Sequence, residues 1–338
     1  MSGEKVKAVA LFSGGLDSML AARIVRDQGI EVVGLYLDNG MSAFSMKKHL
    51  GLAVDESPVD AAASETGIEL VKREIYREFL PVLLSPKHGY GSGANPCIDC
   101  RILMLKRAKE FMEEIGASFV VTGEVLGQRP MSQRLSIIKL IEKEADLKGL
   151  VLRPLSAKFF PPTLPEKKGW VKREELLDIR GRSRKRQLEL AEHYGFRSFS
   201  QPAGGCMLTD ESFSRKFFDL MEHLEDIDIE DVWLLYVGRH FRISSTVKLI
   251  LGRNEMENEV LVKFRGDRPA IWPEGFKGPY GLFYGDPDEI ELLRSARVLA
   301  RYSKKNYGRV TVLYEKGGLV QKLCVAPYEP EEVEKYRI

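Results

Sequence analysis

KAVALFSGGLDS, residues 7–18, is an apolar run that stops at two glycines and then enters the helical pattern LDSMLAARIVRDQG. This order predicts a strand over residues 5–13, a tight loop and a helix. Further apolar runs at residues 31–39 and 68–75 predict two more strands, with helix-prone residues 59–66 between them. Strands that alternate with helices predict an α/β fold in which helices cover both faces of a doubly wound parallel sheet.

The rest of the chain continues this pattern and then changes in texture. A loop rich in Gly and Ser, residues 85–95, precedes a predicted long helix that ends near Ile115, and SFVVTGEV follows as a strand. Beyond about Asp231, short alternating runs with turns predict a separate, smaller α+β domain. The predicted division is a first domain of residues 1–210, a helical and acidic linker of residues 211–231, and a second domain of residues 232–338.

Composition excludes several classes of protein. The chain has 338 residues, is 44% hydrophobic, and carries 51 Lys+Arg against 49 Asp+Glu, which excludes collagen-like and disordered proteins. No run approaches the ~18 apolar residues of a membrane helix, and the apolar start is too short for a secretory signal. We therefore expect a cytoplasmic protein without membrane contact, whose four cysteines are thiols.

The glycine loop has the features of a phosphate-binding site. It lies where the first strand passes into the first helix, and glycines there let the backbone approach an anion at the helix N-terminus. Asp17 cannot donate to a phosphate, so its expected role is to hold Mg²⁺. The loop lacks the GK[ST] of a P-loop kinase, which disfavours transfer of the terminal phosphate. The candidate ATP-binding residues of the loop are Ser13, Gly14, Gly15, Asp17 and Ser18.

Three cysteines form a second candidate site. Asn95-Pro96 resembles a helix start, with Asn95 as the cap, so that Cys97 and Cys100 share one face at i and i+3. A helix N-terminus also lowers a thiol pKa. Cys206, in the glycine-containing segment QPAGGC, is the expected third member. Cys324, in an alternating apolar strand, is expected to be a buried core thiol.

The chemistry of the three cysteines has three readings. A structural zinc site usually has four ligands, and none of the five histidines pairs with these cysteines in the sequence. A [4Fe-4S] cluster held by Cys97, Cys100 and Cys206 would leave one iron free for a small sulfur anion. Redox catalysis through a disulfide is the main alternative, and a structural zinc site is the second alternative.

SGGLDS at this position resembles the loop of the ATP-pyrophosphatase superfamily, whose members adenylate a substrate and release pyrophosphate. The resemblance covers roughly residues 5–209 and implies an adenine nucleotide alpha hydrolase-like fold. It also implies that the main chain near Leu37 and Gly123 flanks the adenine and ribose, with three further residues of EVLGQRP nearby: Glu124, Gln128 and Arg129.

Together, the loop, NPCxxC and the distant GGC resemble the tRNA thiouridine synthetases, which adenylate a tRNA uridine and replace its carbonyl oxygen by sulfur. The resemblance implies an enzyme with Asp17 and the three cysteines as catalytic residues, ATP and Mg²⁺, a tRNA substrate, and sulfide or a sulfur carrier such as a cysteine desulfurase as donor. In the 2-thiouridine synthetases Asp commonly stands where this chain has Cys97. This departure favours iron-sulfur-dependent thiolases over a persulfide relay.

A basic segment and the C-terminal region are the candidates for RNA contacts. From Lys167 to Arg186 nine Lys/Arg oppose three acidic residues, a local charge of +6. GRHFRISSTVKLILGRNEMENEVL is similar to the proposed RNA-binding domain of NFACT-type proteins, with a dimerisation domain as the alternative. Candidate phosphate contacts are Arg180, Arg182, Arg184, Lys185 and Arg186, and candidate stacking residues, for which core packing is the alternative, are Phe241, Trp272, Phe276, Tyr280, Phe283 and Tyr284.

Two other functions remain open from the sequence. One is a different pyrophosphatase-loop ligase or amidotransferase with structural zinc, which would release pyrophosphate without forming a thionucleoside. The other is an RNA-binding protein with a vestigial nucleotide site, whose RNA binding would not respond to Asp17→Ala.

Overall fold

The computed structural model describes residues 6–54, 57–197, 199, 206–303 and 308–338. The chain divides into two compact units. The first comprises Met1–Ser45 and Val54–Met207, and the second comprises Met46–Ala53 and Leu208–Ile338.

The first unit is built on a five-stranded parallel sheet with the order β3-β2-β1-β4-β5. Its strands are β1 (Lys7–Leu11), β2 (Glu31–Asp38), β3 (Glu69–Glu74), β4 (Phe119–Thr122) and β5 (Val151–Leu152). Its helices are α1 (Leu16–Arg26), α2 (Ala43–Leu50, which continues into the second unit from Met46), α3 (Pro58–Thr66), α4 (Tyr76–Leu84), α5 (Cys97–Glu114), α6 (Leu135–Glu144), α7 (Leu164–Lys167) and α8 (Lys185–Tyr194).

Alternating side chains of the central strand bury both faces of this sheet. Ala8 and Ala10 belong to one apolar layer, with residues of α1, α3 and α8. Val9 and Leu11 belong to the other, with residues of α5 and α6. Strands that are apolar on both sides require helices on both faces. The predicted doubly wound α/β fold is therefore confirmed.

The strand order places a ligand crevice beside β1. From β1 the chain builds β2 and β3 on one side, and it later returns to add β4 and β5 on the other. Ligands of open α/β sheets bind outside the carboxyl ends of the strands at such a reversal. The glycine loop follows β1 and Gly123 follows β4, so both predicted nucleotide elements lie at this crevice.

The second unit is an α+β fold around a six-stranded antiparallel sheet, as predicted. The order is β11-β10-β8-β9-β7-β6, with β6 (Arg239–Arg242), β7 (Lys248–Leu251), β8 (Ala270–Pro273), β9 (Gly281–Tyr284), β10 (Val310–Lys316) and β11 (Leu319–Val325). The helices are α9 (Glu211–His223), α10 (Ile229–Leu234), α11 (Glu255–Lys263), α12 (Glu289–Arg301) and α13 (Pro330–Glu334). Residues 211–231, predicted as a linker, thus contain α9 and the start of α10.

Half of the six aromatic candidates of this unit are core residues. Phe241, Phe283 and Tyr284 are buried, so core packing is confirmed for them. Trp272 and Tyr280 stack with ring centroids 5.8 Å apart, and both line a cavity of about 510 Å³ together with Phe276. These three rings are the ones available to a ligand.

Cys324 is exposed, so its predicted place in the core is wrong. It lies on β11, which is an edge strand, and its neighbour Val325 is buried. Because side chains alternate between the two faces of a strand, Val325 packs inward and Cys324 points outward. The apolar letters around Cys324 indicated a strand correctly but did not indicate which face is buried.

Among the described residues, no helix combines the length and the apolar character needed to cross a bilayer.

A buried ion-pair network holds the second unit together at α9. Asp219 accepts from the Arg242 guanidinium through both oxygens, at 2.9 and 2.7 Å, and from Lys248 Nζ at 2.8 Å. Lys248 is 1% exposed. Burial alone would raise the pKa of the Asp219 carboxyl group. Arg242 and Lys248 nevertheless hold this pKa below its ordinary value.

Asp219→Asn is therefore expected to lower the free energy of unfolding by about 3–5 kcal/mol, because it leaves a buried ammonium without its counter-charge. Adding Lys248→Met should recover much of the loss, since it removes the orphaned charge. Denaturant titration followed by tryptophan fluorescence measures both, with the exposed Asp226→Asn as control. Equal stability of Asp219→Asn and Asp226→Asn would contradict the assignment.

Candidate active site

The glycine loop is a tight turn that leads directly into α1. Gly14 has φ +71°, a backbone conformation that favours glycine. The Ser18 hydroxyl donates to the Gly15 carbonyl at 2.7 Å and accepts from Ser13 N–H at 3.3 Å. The loop is thus held by its own serine and presents the start of α1 to the crevice, which is the arrangement that binds phosphate at a helix N-terminus.

Gly123 packs directly against this loop. A Cβ at Gly123 would lie 2.5 Å from the carbonyl carbon and oxygen of Asp17 and 2.6 Å from the Ser18 nitrogen. Contacts this short with backbone atoms force the loop or the strand end to move. Only glycine therefore lets the end of β4 pack this closely against the glycine loop.

Gly123→Ala is expected to weaken ATP binding at least about tenfold and to destabilise the chain by about 1–3 kcal/mol, since overpacking displaces the loop backbone. Gly169→Ala is the control for ATP affinity only: that glycine is exposed and a Cβ there meets nothing within 4 Å, while its φ of +70° lets alanine cost stability without contact with the glycine loop. Titration calorimetry with ATP separates the two effects. Unchanged ATP affinity in Gly123→Ala would refute the contact.

Asp17 is held by side chains from distant parts of the chain. Gln128 Nε2 donates to Asp17 Oδ2 at 2.7 Å, and Gln187 Nε2 donates to Gln128 Oε1 at 3.0 Å. The Arg184 guanidinium lies 3.8 Å from Asp17 Oδ1. Of these partners, sequence reasoning placed Gln128 near the nucleotide, assigned Arg184 to RNA and missed Gln187.

The other Asp17 oxygen fits a magnesium ligand. Asp17 Oδ1 is buried and, within the described residues, accepts no hydrogen bond. A buried carboxylate oxygen without a donor carries a desolvation cost that a hard cation removes. The residue present therefore suits the Mg²⁺ that a nucleotide triphosphate would bring.

Glu124 is a structural anchor beneath this site. Its carboxylate is 2% exposed and lies 2.9 Å from Arg153 Nε and 3.2 Å from Arg101 Nε. Burial alone would raise the pKa of Glu124, but Arg153 and Arg101 hold this pKa below its ordinary value. Because Arg101 follows Cys100 in α5, the ion pair between Glu124 and Arg101 ties the end of β4, beside the glycine loop, to the helix that carries the cysteines.

The remaining predicted nucleotide residues are placed less directly. Leu37 lies in β2 with its side chain in the core, so only its main chain can face a ligand. Arg129 donates its backbone N–H to Gln133 Oε1 at 2.9 Å, which closes the turn after Gln128.

Cys97 and Cys100 lie at the start of α5, and each sulfur accepts a hydrogen bond from an asparagine. Asn95 Nδ2 lies 3.1 Å from Cys97 Sγ, and Asn39 Nδ2 lies 3.6 Å from Cys100 Sγ. The helix begins at Cys97 with Pro96 as its N-cap residue, so the predicted cap role of Asn95 is wrong. Its side chain instead accepts from Gly93 N–H at 3.0 Å and contacts the cysteine.

Cys206 is brought towards the same place through the loop after β2. Met207 N–H donates to the Met41 carbonyl at 2.8 Å, and Met41 N–H donates to Asn39 Oδ1 at 3.1 Å. Asn39 is the residue that contacts Cys100. One asparagine side chain thus links the segment of Cys206 to the CxxC helix, while residues 201–205, with most of QPAGGC, lie outside the described residues.

The donor types suit a sulfur-ligated group. Thiolates that receive N–H donors are the usual environment of iron-sulfur clusters. In the part of the chain that the structure describes, no three His, Cys, Asp or Glu side chains are placed to hold a metal ion.

Burial is the largest influence on the pKa of the Cys100 thiol. Burial raises the pKa of the Cys100 thiol to about 11, and Arg101 offsets this only in part. The expectation of a lowered thiol pKa is therefore wrong for this residue. The loss of hydration on burial disfavours the thiolate more strongly than Arg101, Asn39 and Arg129 favour it.

In the metal-free protein, iodoacetamide is expected to modify Cys100 much more slowly than the exposed Cys324 at pH 7.5, because a thiol with a pKa of about 11 is almost wholly protonated there. The rate at Cys100 should rise about tenfold per pH unit up to pH 10. Pulsed alkylation with peptide mass spectrometry measures both rates, and denatured protein gives the control. Equal native rates would contradict the burial.

The basic segment has mixed placement. Arg182, Lys185 and Arg186 are exposed, and Arg186 pairs with Asp178 at 2.7 Å. Arg180 lies over the Phe159 ring, 5.1 Å from its centroid. Only Arg184, with 16% of its side chain exposed, turns inward to Asp17. The five residues thus do not form one uniform surface.

The fold and loop define an α/β unit whose glycine loop lies at a crevice typical of phosphate binding, and a second, α+β unit. Two family models match the chain, each over less than half of its length. Residues 3–158 match the thiamine biosynthesis protein family ThiI, and residues 238–337 match the NFACT protein RNA binding domain. These matches confirm both resemblances inferred from the sequence.

Individual relatives are distant and longer. A probable tRNA sulfurtransferase of Thermococcus kodakarensis is 28% identical over 45% of this chain and 38% of its own length. A tRNA-specific 2-thiouridylase MnmA of Rippkaea orientalis is 24% identical over 69% of this chain and 64% of its own length. A solved 4-thiouridine synthetase–RNA complex with bound ATP is 20% identical, with a TM-score of 0.41 over 69% of this chain and 53% of that one. The matched regions span less than two thirds of all three.

Proposed function

We propose that the protein is an ATP-dependent tRNA sulfurtransferase that adenylates a uridine and replaces its carbonyl oxygen with sulfur. The observation that carries the proposal is the meeting of two sites in one unit. The nucleotide loop follows β1, and Asn39, which contacts Cys100, follows the neighbouring strand β2. A nucleotide and a sulfur-bearing group would therefore be held at the carboxyl ends of adjacent strands.

The first half of the reaction rests on the glycine loop. Its backbone N–H groups and Ser13 and Ser18 would bind the triphosphate, while Asp17 would hold the accompanying Mg²⁺. The uracil carbonyl oxygen attacks the α-phosphorus, the bond to the bridging oxygen breaks, and pyrophosphate leaves with the electron pair. Holding both reactants in this crevice supplies much of the rate enhancement.

The second half rests on the cysteines. Cys97, Cys100 and Cys206 would hold a [4Fe-4S] cluster, which would supply a site for sulfide. As the C–S bond forms at the activated carbon, its C–O bond breaks and AMP leaves with the oxygen and the electron pair. Asn95 and Asn39 would stabilise the charge on the first two sulfurs by their N–H groups. His88 would fix the helix start, since its backbone N–H donates to Asp99 Oδ2 at 2.9 Å. Asp99 lies between the two cysteines in the sequence.

Substrate grip is assigned to the second unit and the exposed basic residues. The match to an RNA-binding domain and the cavity beside Trp272 and Tyr280 support a role for the second unit in holding tRNA. Arg182, Lys185 and Arg186 would contact phosphates. We propose a cytoplasmic enzyme that receives sulfide or sulfur from a carrier, and dimerisation is the alternative role of the second unit.

The test uses protein purified without oxygen. Wild type is incubated with unmodified tRNA, ATP, Mg²⁺ and sulfide, and digested nucleosides are analysed by mass spectrometry alongside AMP, pyrophosphate, iron and zinc. Thiouridine with equal AMP and about four irons per chain supports the proposal. Pyrophosphate without thiouridine, with stoichiometric zinc, indicates a different ligase. RNA binding without ATP turnover indicates a vestigial nucleotide site.

A further inference from the structure

Arg184 is separated from the other basic residues by its surroundings. Gly181 N–H donates to the Leu126 carbonyl at 2.8 Å, which fixes the basic segment against the loop that follows β4. Three residues later the chain turns into α8, and Arg184 is its N-cap residue. Its guanidinium is therefore directed to Asp17 in the nucleotide loop, where tRNA phosphates have the least access among the five basic positions.

The amides beside Asp17 have a fixed direction. An ionised carboxylate only accepts hydrogen bonds, so Gln128 must turn its NH₂ group to Asp17 and its oxygen to Gln187. Gln187 must then donate its own NH₂ group and leave Oε1 facing away from Gln128. Gln187 is fully buried in α8, so this direction is imposed from the loop into the helix.

Hydrogen-bonding groups are left over around Asp17. Among the described residues, Asp17 Oδ1, Arg184 Nε and Gln187 Oε1 are all buried without a hydrogen-bond partner. Arg184 and Asp17 form an ion pair in which a guanidinium nitrogen lies 3.8 Å from Asp17 Oδ1, a distance too long for a hydrogen bond. Buried polar groups are normally satisfied, so an unpaired guanidinium donor beside a glycine loop indicates a place for an anionic ligand atom.

We propose that Arg184 binds the β- and γ-phosphates of the nucleoside triphosphate, with Gln128 and Gln187 as positioning residues for Asp17. This inference rests on the proposed function and deepens it. The loop SGGLDS lacks the lysine with which a P-loop steadies these phosphates. Arg184, which lies 166 to 171 positions beyond the residues of this loop in the chain, supplies the missing cation.

The role suits the bond that breaks. When the α-phosphorus is attacked, the bridging oxygen leaves with the electron pair, and negative charge grows on pyrophosphate. A guanidinium can meet this charge with fixed, charge-assisted N–H donors. Arg184 and the Mg²⁺ held by Asp17 would then neutralise the leaving group from two sides. Holding the terminal phosphates in this way favours departure of pyrophosphate.

The experiment compares nucleotide binding in full-length Arg184→Gln, Arg184→Lys and the matched control Arg182→Gln. Titration calorimetry with Mg²⁺ is done with ATP, AMP and inorganic pyrophosphate, and tRNA binding is measured in parallel. We expect Arg184→Gln to weaken ATP and pyrophosphate binding about 10- to 100-fold, with AMP changed less than about threefold. Arg184→Lys should recover part of the affinity, because charge is kept and the fork of donors is lost.

The outcomes separate this inference from the proposed function. Loss of ATP affinity in Arg184→Gln with tRNA affinity kept supports the inference even if no thiouridine is formed by wild type. Unchanged ATP affinity, or an equal loss for AMP and ATP, overturns it whether or not wild type thiolates tRNA. A tRNA affinity that falls more in Arg184→Gln than in Arg182→Gln also overturns it, since Arg184 would then serve RNA.

Discussion

Asp17→Asn is expected to lower the rate of AMP and pyrophosphate formation about 10²- to 10³-fold, because it removes the charge that would hold Mg²⁺ against the leaving group. Asparagine keeps the size of the side chain, and its oxygen can still accept from Gln128 Nε2, which lies 2.7 Å from Asp17. The loop should therefore keep its shape. The apparent affinity for Mg²⁺, measured from the metal dependence of pyrophosphate release, should fall together with the rate.

The control lies on the same helix. Asp27 is the C-cap residue of α1 and pairs with Arg23 at the surface, so Asp27→Asn changes the same charge away from the crevice. Its turnover should stay within about twofold of wild type, as for other surface substitutions. Full activity and unchanged Mg²⁺ dependence in Asp17→Asn would remove the nucleotide role of the loop. Stability measured on both variants excludes unfolding as the cause.

Local patterns predicted what is local in this molecule. The strand, glycine turn and helix at residues 7–26, and the CxxC at a helix start, follow from spacing alone because each is closed by neighbours in sequence. The partners of Asp17 do not. Gln128 is 111 positions away, and Gln187 bonds to Gln128 across 59 positions. Only the folded sheet brings these segments to one edge.

The same distinction explains the errors. The pKa of Cys100 follows from burial among elements distant in sequence, whereas its helix position suggested the opposite direction. Arg184 belongs to a run of basic residues that is otherwise exposed. The hydrogen bond from Gly181 N–H to the Leu126 carbonyl fixes this run so that Arg184 turns inward. Residues 46–53 lie within the first domain in sequence but group with the second unit. Charge and periodicity carry no information about such placements.

Cys100→Ser is expected to abolish thiouridine formation, by at least about 10³-fold, while ATP binding stays near that of wild type. The two sites meet at the sheet edge but use different residues. The glycine loop is held by Ser18, Gln128 and Gly123, whereas Cys100 contacts Asn39. Serine cannot supply the soft sulfur ligand that iron prefers. Nucleoside mass spectrometry, iron analysis and ATP titration on one preparation test all three statements.

Comparison across the cysteines decides what the site holds. If a shared group is bound, Cys97→Ser, Cys100→Ser and Cys206→Ser should lose iron and thiolation together, and the exposed Cys324→Ser should lose neither. Retention of iron in Cys206→Ser would contradict a three-cysteine cluster, since the remaining pair lies within one helical turn of α5. Thiolation that survives in Cys97→Ser without iron would instead favour a relay between Cys100 and Cys206. In that case the Asn39 side chain, which links both segments, would mark the path of the sulfur.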